Sequence, residues 1–134
     1  MVGARPIVIA PPTLLPARPD ILGAEVATCI DEVISELDVA YMLRIQMERA
    51  EGMPFPSVRE YARLYGMNMQ RLEAMKSGAI VMHPGPMNRG VEISADVADS
   101  ARSLVLSQVE SGVAVRMAVL YLLLGGGASD GAAA

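Results

Sequence analysis

Short apolar runs alternate along the chain with proline-rich, polar or amphipathic segments. Four of these runs, at residues 5–10, 25–29, 38–43 and 79–82, are rich in aliphatic side chains, which favours short buried strands. Because helices or long connections separate the runs, we expect the strands to lie parallel to one another in one sheet. The pattern predicts an α/β protein with a three-layer α/β/α arrangement.

Polar caps followed by apolar residues at helical spacing predict the helices. Asp31 is the expected N-cap of a short helix ending at residue 37, and Ser57 with Glu60 is typical of a capping box at the next helix. A long helix over residues 102–124 is expected to kink or break at Gly112. Two further helices are predicted at residues 68–75 and 94–100.

The fourth predicted strand runs directly into His83-Pro84-Gly85-Pro86. Each proline fixes its own φ and has no amide donor, whereas Gly85 can adopt unusual backbone angles and the Gly85–Pro86 bond is a candidate cis peptide. Such a loop presents backbone carbonyls at the C-terminal end of a strand, where open α/β sheets bind ligands. A plain structural turn fits the same local pattern.

His83 is the only histidine in the sequence. No serine, cysteine or carboxylate lies at a spacing that suggests a catalytic triad with it. We therefore favour a structural histidine, hydrogen-bonded inside the loop, over a general base.

Polar side chains also follow the third predicted strand, with Arg44, Gln46 and Glu48 at every second position. Adjacent parallel strands would bring this segment close to the proline-rich loop. The guanidinium of Arg44 suits a carboxylate or a phosphate, and Gln46 could add a neutral hydrogen bond to the same ligand. The alternative is a surface network in which Arg44 and Arg49 pair with carboxylates, namely those of Glu48, Glu51 or Glu92.

Composition limits the classes of function. The 134 residues fit one domain, and 52% hydrophobic residues with a single Phe predict an aliphatic, methionine-rich core. A net charge of −4 without a basic cluster argues against nucleic acid, and one cysteine with one histidine offers no metal-binding set. The apolar segment 113–124 contains Arg116 and is shorter than a membrane span, and no signal peptide is visible, so we expect a cytoplasmic protein without a membrane partner.

The sequence Tyr-Met-Leu-Arg-Ile-Gln-Met-Glu-Arg over 41–49, followed by Val-Met-His-Pro-Gly-Pro-Met-Asn-Arg-Gly-Val-Glu-Ile over 81–93, resembles aspartate carbamoyltransferase. Three further segments, at residues 10–16, 57–66 and 108–120, extend the resemblance in the same order. It covers nearly the whole chain except residues 125–134, which we predict to be a disordered tail.

The resemblance implies that residues 1–124 are part of the C-terminal, L-aspartate-binding domain, a Rossmann-like half of the carbamoyltransferase fold. The family's N-terminal carbamoyl-phosphate domain, with its Ser-Thr-Arg-Thr loop, has no counterpart in this sequence. The aspartate domain's own first strand and helix are also without a counterpart. In the family this strand lies inside the sheet, between the strands that match residues 5–10 and residues 25–29 or the neighbour of the latter. We expect the chain to be a C-terminal portion in which Met1 is an internal or misassigned start.

The resemblance further implies transfer of the carbamoyl group of carbamoyl phosphate to the amine of L-aspartate, in pyrimidine biosynthesis. The reaction needs neither a covalent enzyme intermediate nor a cofactor. Arg44 and Gln46 would bind the aspartate carboxylates, and the carbonyls of Pro84 and Gly85 would accept hydrogen bonds from the carbamoyl amide. The implied supporting residues are His83 and Pro86 in the loop, and Glu48, Arg49 and Glu92 in an ion-pair network; no catalytic side chain is implied in this portion.

The implied partners are the carbamoyl-phosphate domain and, in the complete enzyme, two further copies in a homotrimer. The isolated chain is expected to be inactive. Because the last helix carries an aliphatic face that crosses to the other domain in the family, the chain alone is also expected to be marginally stable or to aggregate. The alternative is a non-catalytic module, derived from a carbamoyltransferase of either the aspartate or the ornithine type, that binds dicarboxylates or docks on a carbamoyl-phosphate domain of another chain.

Overall fold

The computed structural model describes residues 3–46 and 57–125, and within these ranges the chain is a partial α/β fold with parallel strands. The strands are β1 (Ile7–Ile9), β2 (Glu25–Ala27), β3 (Val39–Tyr41) and β4 (Ile80–Met82). The helices are α1 (Val58–Tyr65), α2 (Met69–Ala74), α3 (Ala95–Ala98) and α4 (Val105–Leu124). The predicted fold class is confirmed. Of the predicted tail, only Gly125 lies within the described residues.

The strands form two parallel pairs instead of one continuous sheet. In one pair Ile7 of β1 lies opposite Glu25 of β2, and in the other Val39 of β3 lies opposite Ile80 of β4. No hydrogen-bonded ladder joins the two pairs within the described ranges. Because β1 bonds to β2 directly, the additional strand that the family resemblance implies cannot lie between those two, and the sheet is interrupted between the pairs.

One aliphatic core holds the strands and helices together. Val81, Ile93 and Val97 have no exposed surface, and Met67 and Leu72 are almost as deeply buried. The partly buried Ile9 of β1 and Met42 after β3 pack against the same cluster. The predicted aliphatic and methionine-rich core is confirmed, although Phe55 lies outside the described residues.

The predicted cap of α1 at Ser57 is confirmed, and α2 has a side-chain cap at Asn68. The Ser57 hydroxyl accepts the amide of Glu60 at 3.1 Å, and the Asn68 side-chain oxygen accepts the amide of Arg71 at 2.9 Å. Each interaction satisfies one of the amides that a helix start leaves unpaired. Helix α1 ends before Gly66, where a Cβ would come within 2.5 Å of the carbonyl oxygens of both Ala62 and Val91.

The predicted helix capped by Asp31 is wrong. Residues 30–36 form two short 3-10 turns, Ile30–Glu32 and Ile34–Glu36. The Asp31 carboxylate instead receives both Nε and Nη2 of Arg71, each at 2.7 Å, from 40 positions along the chain. The hydrogen bond from Arg71 is the main cause that holds the pKa of Asp31 below its usual value of 3.8.

Arg71 also satisfies the end of α1. Its guanidinium donates to the backbone carbonyls of Arg63, Leu64 and Gly66, with the last contact at 2.5 Å. These are carbonyls that a helix C-terminus leaves without intrahelical partners. The buried Arg71 side chain therefore joins the turn at Asp31, α1 and its own helix α2 in one network.

Helix α4 starts later than predicted and runs without a break. Arg102, its expected first residue, instead donates to the carbonyls of Leu72, Lys76 and Ala79, which ties α2 to the start of β4. Gly112 lies inside the continuous helix Val105–Leu124, so the predicted break is wrong. A glycine costs about 1 kcal/mol in a helix interior, which the rest of this 20-residue helix tolerates.

Most of α4 is apolar and exposed. The exposed fractions of Leu106, Leu122, Leu123 and Leu124 lie between 68% and 83%. By length and composition alone, α4 satisfies the requirement for a membrane span, with a mean hydropathy of 1.3 and only 6% of the most apolar window buried. The predicted apolar segment 113–124 is shorter than a membrane span, whereas the whole of α4 is long enough. Arg116, near the middle of the helix, would cost about 2.5–3.5 kcal/mol at a bilayer centre.

Candidate functional site

The loop after β4 has the backbone geometry that its sequence predicts. Gly85 has a φ of +67°, in the left-handed region that favours glycine, and the Gly85–Pro86 bond is cis. Pro84 and Pro86 are exposed, and Gly85 is half-buried. The loop therefore carries its two exposed prolines and a glycine directly beyond the C-terminal end of β4.

His83 lies beneath this loop and has no exposed surface. Its Nδ1 accepts the amide of Gly85 at 2.9 Å, so the proton of the neutral ring lies on Nε2. Nε2 faces Oε1 of Glu92 at 3.2 Å, and Glu92 is also completely buried. The predicted hydrogen bond of His83 within the loop is confirmed, and its structural role stays a prediction.

Glu92 also forms a hydrogen bond to Asn88, two residues after the same loop. Its Oε1 accepts the amide of Asn88 at 2.5 Å, while its backbone carbonyl accepts the amide of Met67 at 2.9 Å. The alternative of a surface ion-pair network involving Glu92 is therefore wrong, because this carboxylate is buried. Burial, together with the charges of Glu92 and Tyr65, raises the pKa of Tyr61 to about 12.

The segment that carries Arg44 and Gln46 extends beyond the end of β3. The amide of Met42 still donates to the carbonyl of Met82 at 2.8 Å, which continues the parallel pairing past Tyr41. Arg44 is half-buried and Gln46 is exposed. Glu48 and Arg49 lie outside the described residues, so their predicted roles stay predictions.

Two side chains join the ends of β3 and β4. The amide group of Asn88, two residues after the proline-rich loop, donates to the backbone carbonyl of Ile45 at 3.4 Å. Gln108 of α4 accepts the backbone amide of His83 at 3.1 Å and donates to the Tyr41 hydroxyl at 2.6 Å. The expected approach of the two polar segments is confirmed, since Asn88 contacts the carbonyl of Ile45, the residue between Arg44 and Gln46.

Sequence reasoning did not assign a role to Asn88, Gln108 or Tyr41. Asn88 follows the proline-rich loop by two residues, and Gln108 is a polar residue at the start of an otherwise apolar helix, which is a sequence signal for a specific contact. The partners of these side chains are 25 to 67 positions away, so spacing along the sequence does not reveal them.

Within residues 3–46 and 57–125, no group of three or more His, Cys, Asp or Glu side chains is placed to hold a metal ion. The polar groups at this end of the strands are instead a guanidinium, carboxamides and backbone carbonyls. These groups bind anions and amide donors through hydrogen bonds.

Known proteins are similar to this chain in sequence. The family model for the Asp/Orn binding domain of aspartate/ornithine carbamoyltransferase matches residues 8–123. The aspartate carbamoyltransferase catalytic subunit of Thermobifida fusca is 59% identical over 124 residues, which is 92% of this chain and 40% of that subunit. The subunit with the same description from Beutenbergia cavernae is 56% identical over 126 residues, 93% of this chain and 38% of its own length.

Solved carbamoyltransferase structures are similar to this fold. The structure of aspartate transcarbamoylase from Trypanosoma cruzi in complex with N-(phosphonacetyl)-L-aspartic acid matches 86% of this chain and 39% of its own, with a TM-score of 0.70 and 28% identity. Ornithine carbamoyltransferase from Pyrococcus furiosus matches 92% of this chain and 43% of its own, with a TM-score of 0.75 and 25% identity. The chain thus spans about 40% of the length of the relatives it matches. The chain belongs to the aspartate/ornithine carbamoyltransferase family and corresponds to its Asp/Orn binding domain.

Proposed function

We propose that this chain is the aspartate-binding half of an aspartate carbamoyltransferase, which transfers the carbamoyl group of carbamoyl phosphate to the amine of L-aspartate. The observation that carries the proposal is the junction of the β3 and β4 ends through Asn88 and Ile45. This junction brings the segment of Arg44 and Gln46 next to the proline-rich loop, which carries the carbonyls of Pro84 and Gly85. One substrate can therefore be bound on each side of this junction.

The chemistry of the two sides favours aspartate over ornithine as the amino-acid substrate. The guanidinium of Arg44 attracts a second carboxylate and repels the ammonium group of an ornithine side chain. The carbonyls of Pro84 and Gly85 accept hydrogen bonds from a carbamoyl NH₂ group. The aspartate amine would attack the carbamoyl carbon and phosphate would leave, so catalysis depends on positioning and electrostatic stabilisation.

We further propose that α4 packs against the carbamoyl-phosphate domain of the complete enzyme, whose active form is a homotrimer. A helix that is apolar on all sides is normally buried, yet almost all of α4 is exposed here. The Thermobifida fusca subunit has 60% of its length outside the match, since the chain covers 40%. That length is ample for a second domain that covers α4, and Arg116 makes protein a better cover than lipid.

The proposed function is tested with a hybrid in which this chain replaces the matching segment of the Thermobifida fusca subunit. We expect the hybrid to form N-carbamoyl-L-aspartate from carbamoyl phosphate and L-aspartate within about tenfold of the unaltered subunit's rate. The 134-residue chain alone is expected to form none. An assembled hybrid that binds aspartate without turnover would instead support the non-catalytic module, and turnover by the chain alone would contradict the division of the site between two domains.

Exposed α4 is expected to make the isolated chain self-associate. Replacing Leu120 by Glu and Leu124 by Lys, which are 51% and 82% exposed, removes apolar surface and adds a favourable i, i+4 ion pair. Sedimentation velocity should then show a monomer where the unaltered chain shows oligomers. The matched control places the same charges at Ser107 and Ser111, which are also exposed and four apart, and leaves the leucines intact. Association that persists in the leucine variant but disappears in the serine variant would exclude the apolar surface as its cause.

A further inference from the structure

We propose that Glu92 is a positioning residue that, through the imidazole of His83, sets the direction of the Pro84 carbonyl. The inference deepens the proposed function, because that carbonyl is one of the two groups expected to accept the carbamoyl amide. Glu92 itself has no exposed surface. It acts entirely through the groups to which it is bonded.

One oxygen of Glu92 holds the loop at both ends. Oε1 lies 3.2 Å from Nε2 of His83 and accepts the amide of Asn88 at 2.5 Å. These residues flank Pro84, Gly85, Pro86 and Met87. Both prolines lack an amide donor, so the loop has few hydrogen bonds of its own with which to maintain its shape. Hydrogen bonds to a charged acceptor are the stronger class, which suits a carboxylate at this position.

The His83 ring orients the Pro84–Gly85 peptide. Its Nδ1 accepts the Gly85 amide at 2.9 Å. The Pro84–Gly85 peptide is trans, since the cis bond in the loop is Gly85–Pro86. In a planar trans peptide the N–H and the C=O point to opposite sides. When the Gly85 N–H is held against the buried ring, the Pro84 carbonyl is therefore directed away from the ring and toward the exposed side of the loop.

The backbone of Glu92 is held independently of its side chain. Met67 donates to the Glu92 carbonyl at 2.9 Å, and Ser94 donates to the Met67 carbonyl at 2.9 Å. Its second carboxylate oxygen, Oε2, is buried without a hydrogen-bond partner among the described residues. Leaving a buried carboxylate oxygen unpaired is costly, and a residue that served packing alone would be apolar.

The test is amide hydrogen exchange and ¹⁵N NMR of the His83 ring in the 134-residue chain with Leu120→Glu and Leu124→Lys, the monomeric background that serves as the unaltered chain in these comparisons, so it needs no enzyme activity. In the unaltered chain we expect the Nε2–H tautomer and a protected Gly85 amide. Glu92→Ala should accelerate exchange at Gly85 about fivefold or more relative to the Arg71 amide, which bonds to Asn68 elsewhere in the fold. Glu92→Gln keeps an acceptor oxygen and should restore protection at Gly85 and Asn88.

Two further variants keep the inference falsifiable. Glu73→Ala removes an exposed carboxylate from α2 and should change neither amide. Because alanine at a buried position can unfold the chain, His83→Asn is measured as well: its Oδ1 can accept from Gly85, but the shorter side chain does not reach Glu92. Faster exchange at Gly85 with a protected Asn88 amide supports the inference. Unchanged Gly85 exchange in Glu92→Ala or His83→Asn, an equal acceleration of all amides, or an Nδ1–H tautomer in the unaltered chain would overturn it.

Discussion

Replacing Arg71 by alanine is expected to lower the free energy of unfolding by about 3 kcal/mol, a large part of the roughly 5–15 kcal/mol that stabilises a typical domain. The substitution removes the paired contact with Asp31 and leaves the carbonyls of Arg63, Leu64 and Gly66 without this donor. Since the Asp31 side chain is 56% exposed, water compensates part of its loss, and the carbonyls account for the remainder.

Urea unfolding followed by circular dichroism measures the effect, in the Leu120→Glu, Leu124→Lys background that keeps the chain monomeric. Arg63→Ala, an exposed arginine on α1, is the matched control and should change the unfolding free energy by less than about 0.5 kcal/mol. Arg71→Lys keeps the charge but not the planar fork, so its loss should be intermediate. Equal stability of Arg71→Ala and Arg63→Ala would show that the network contributes nothing.

The pH dependence gives a second check on the same contact. The hydrogen bond from Arg71 lowers the pKa of Asp31 in the folded chain below 3.8, its usual value. The contribution of this carboxylate is therefore present above about pH 4 and is lost as the pH falls through the lower, folded-state pKa. The difference in stability between the unaltered chain and Arg71→Ala should shrink over that acid range, and Asp31→Asn should remove this pH-dependent part.

Local rules predicted much of the fold because the signals were local. The cap at Ser57 lies three positions from the amide it accepts, and the loop at His83 to Pro86 is determined by two prolines and a glycine. The family resemblance then connected these elements to a function. In each of these cases the residues that determine the local structure lie within a few positions of one another in the sequence.

The failures share long-range causes. Asp31 could not be distinguished from a helix cap because its partner, Arg71, lies 40 positions away. The parallel β1–β2 pairing and the break between the two strand pairs depend on tertiary packing, which no local pattern encodes. At the candidate site, the sequence predicts Arg44 and the proline-rich loop, whereas the contacts of Asn88 and Gln108 depend on strand ends that meet only in the folded chain.

In the hybrid enzyme, Arg44→Ala is expected to lower kcat/KM for aspartate about a hundredfold or more, because an arginine that binds a carboxylate contributes about 2–5 kcal/mol when its partner is buried. Arg44 follows β3 beside Ile45, the residue whose carbonyl Asn88 contacts. Loss of the guanidinium should therefore weaken aspartate binding. The carbonyls of Pro84 and Gly85 are untouched, so KM for carbamoyl phosphate should change far less.

Arg59→Ala is the matched control, since Arg59 is an exposed arginine on α1 outside the proposed site. Arg59→Ala should leave kcat/KM for aspartate and KM for carbamoyl phosphate within about twofold of the values for the unaltered hybrid. Gln46→Ala, which removes a neutral hydrogen bond, should fall between the two variants. The loss of kcat/KM for aspartate should therefore decrease from Arg44→Ala to Gln46→Ala to Arg59→Ala, because the three substitutions remove a charged ligand group, a neutral ligand group and a group outside the site.

Binding of aspartate at the end of β3 is measured by the rate of N-carbamoyl-L-aspartate formation against aspartate concentration for the hybrid and its Arg44→Ala and Arg59→Ala variants. We expect only Arg44→Ala to raise KM for aspartate, by about a hundredfold at constant KM for carbamoyl phosphate. An Arg44→Ala hybrid that saturates with aspartate like the Arg59→Ala hybrid would contradict binding at this position.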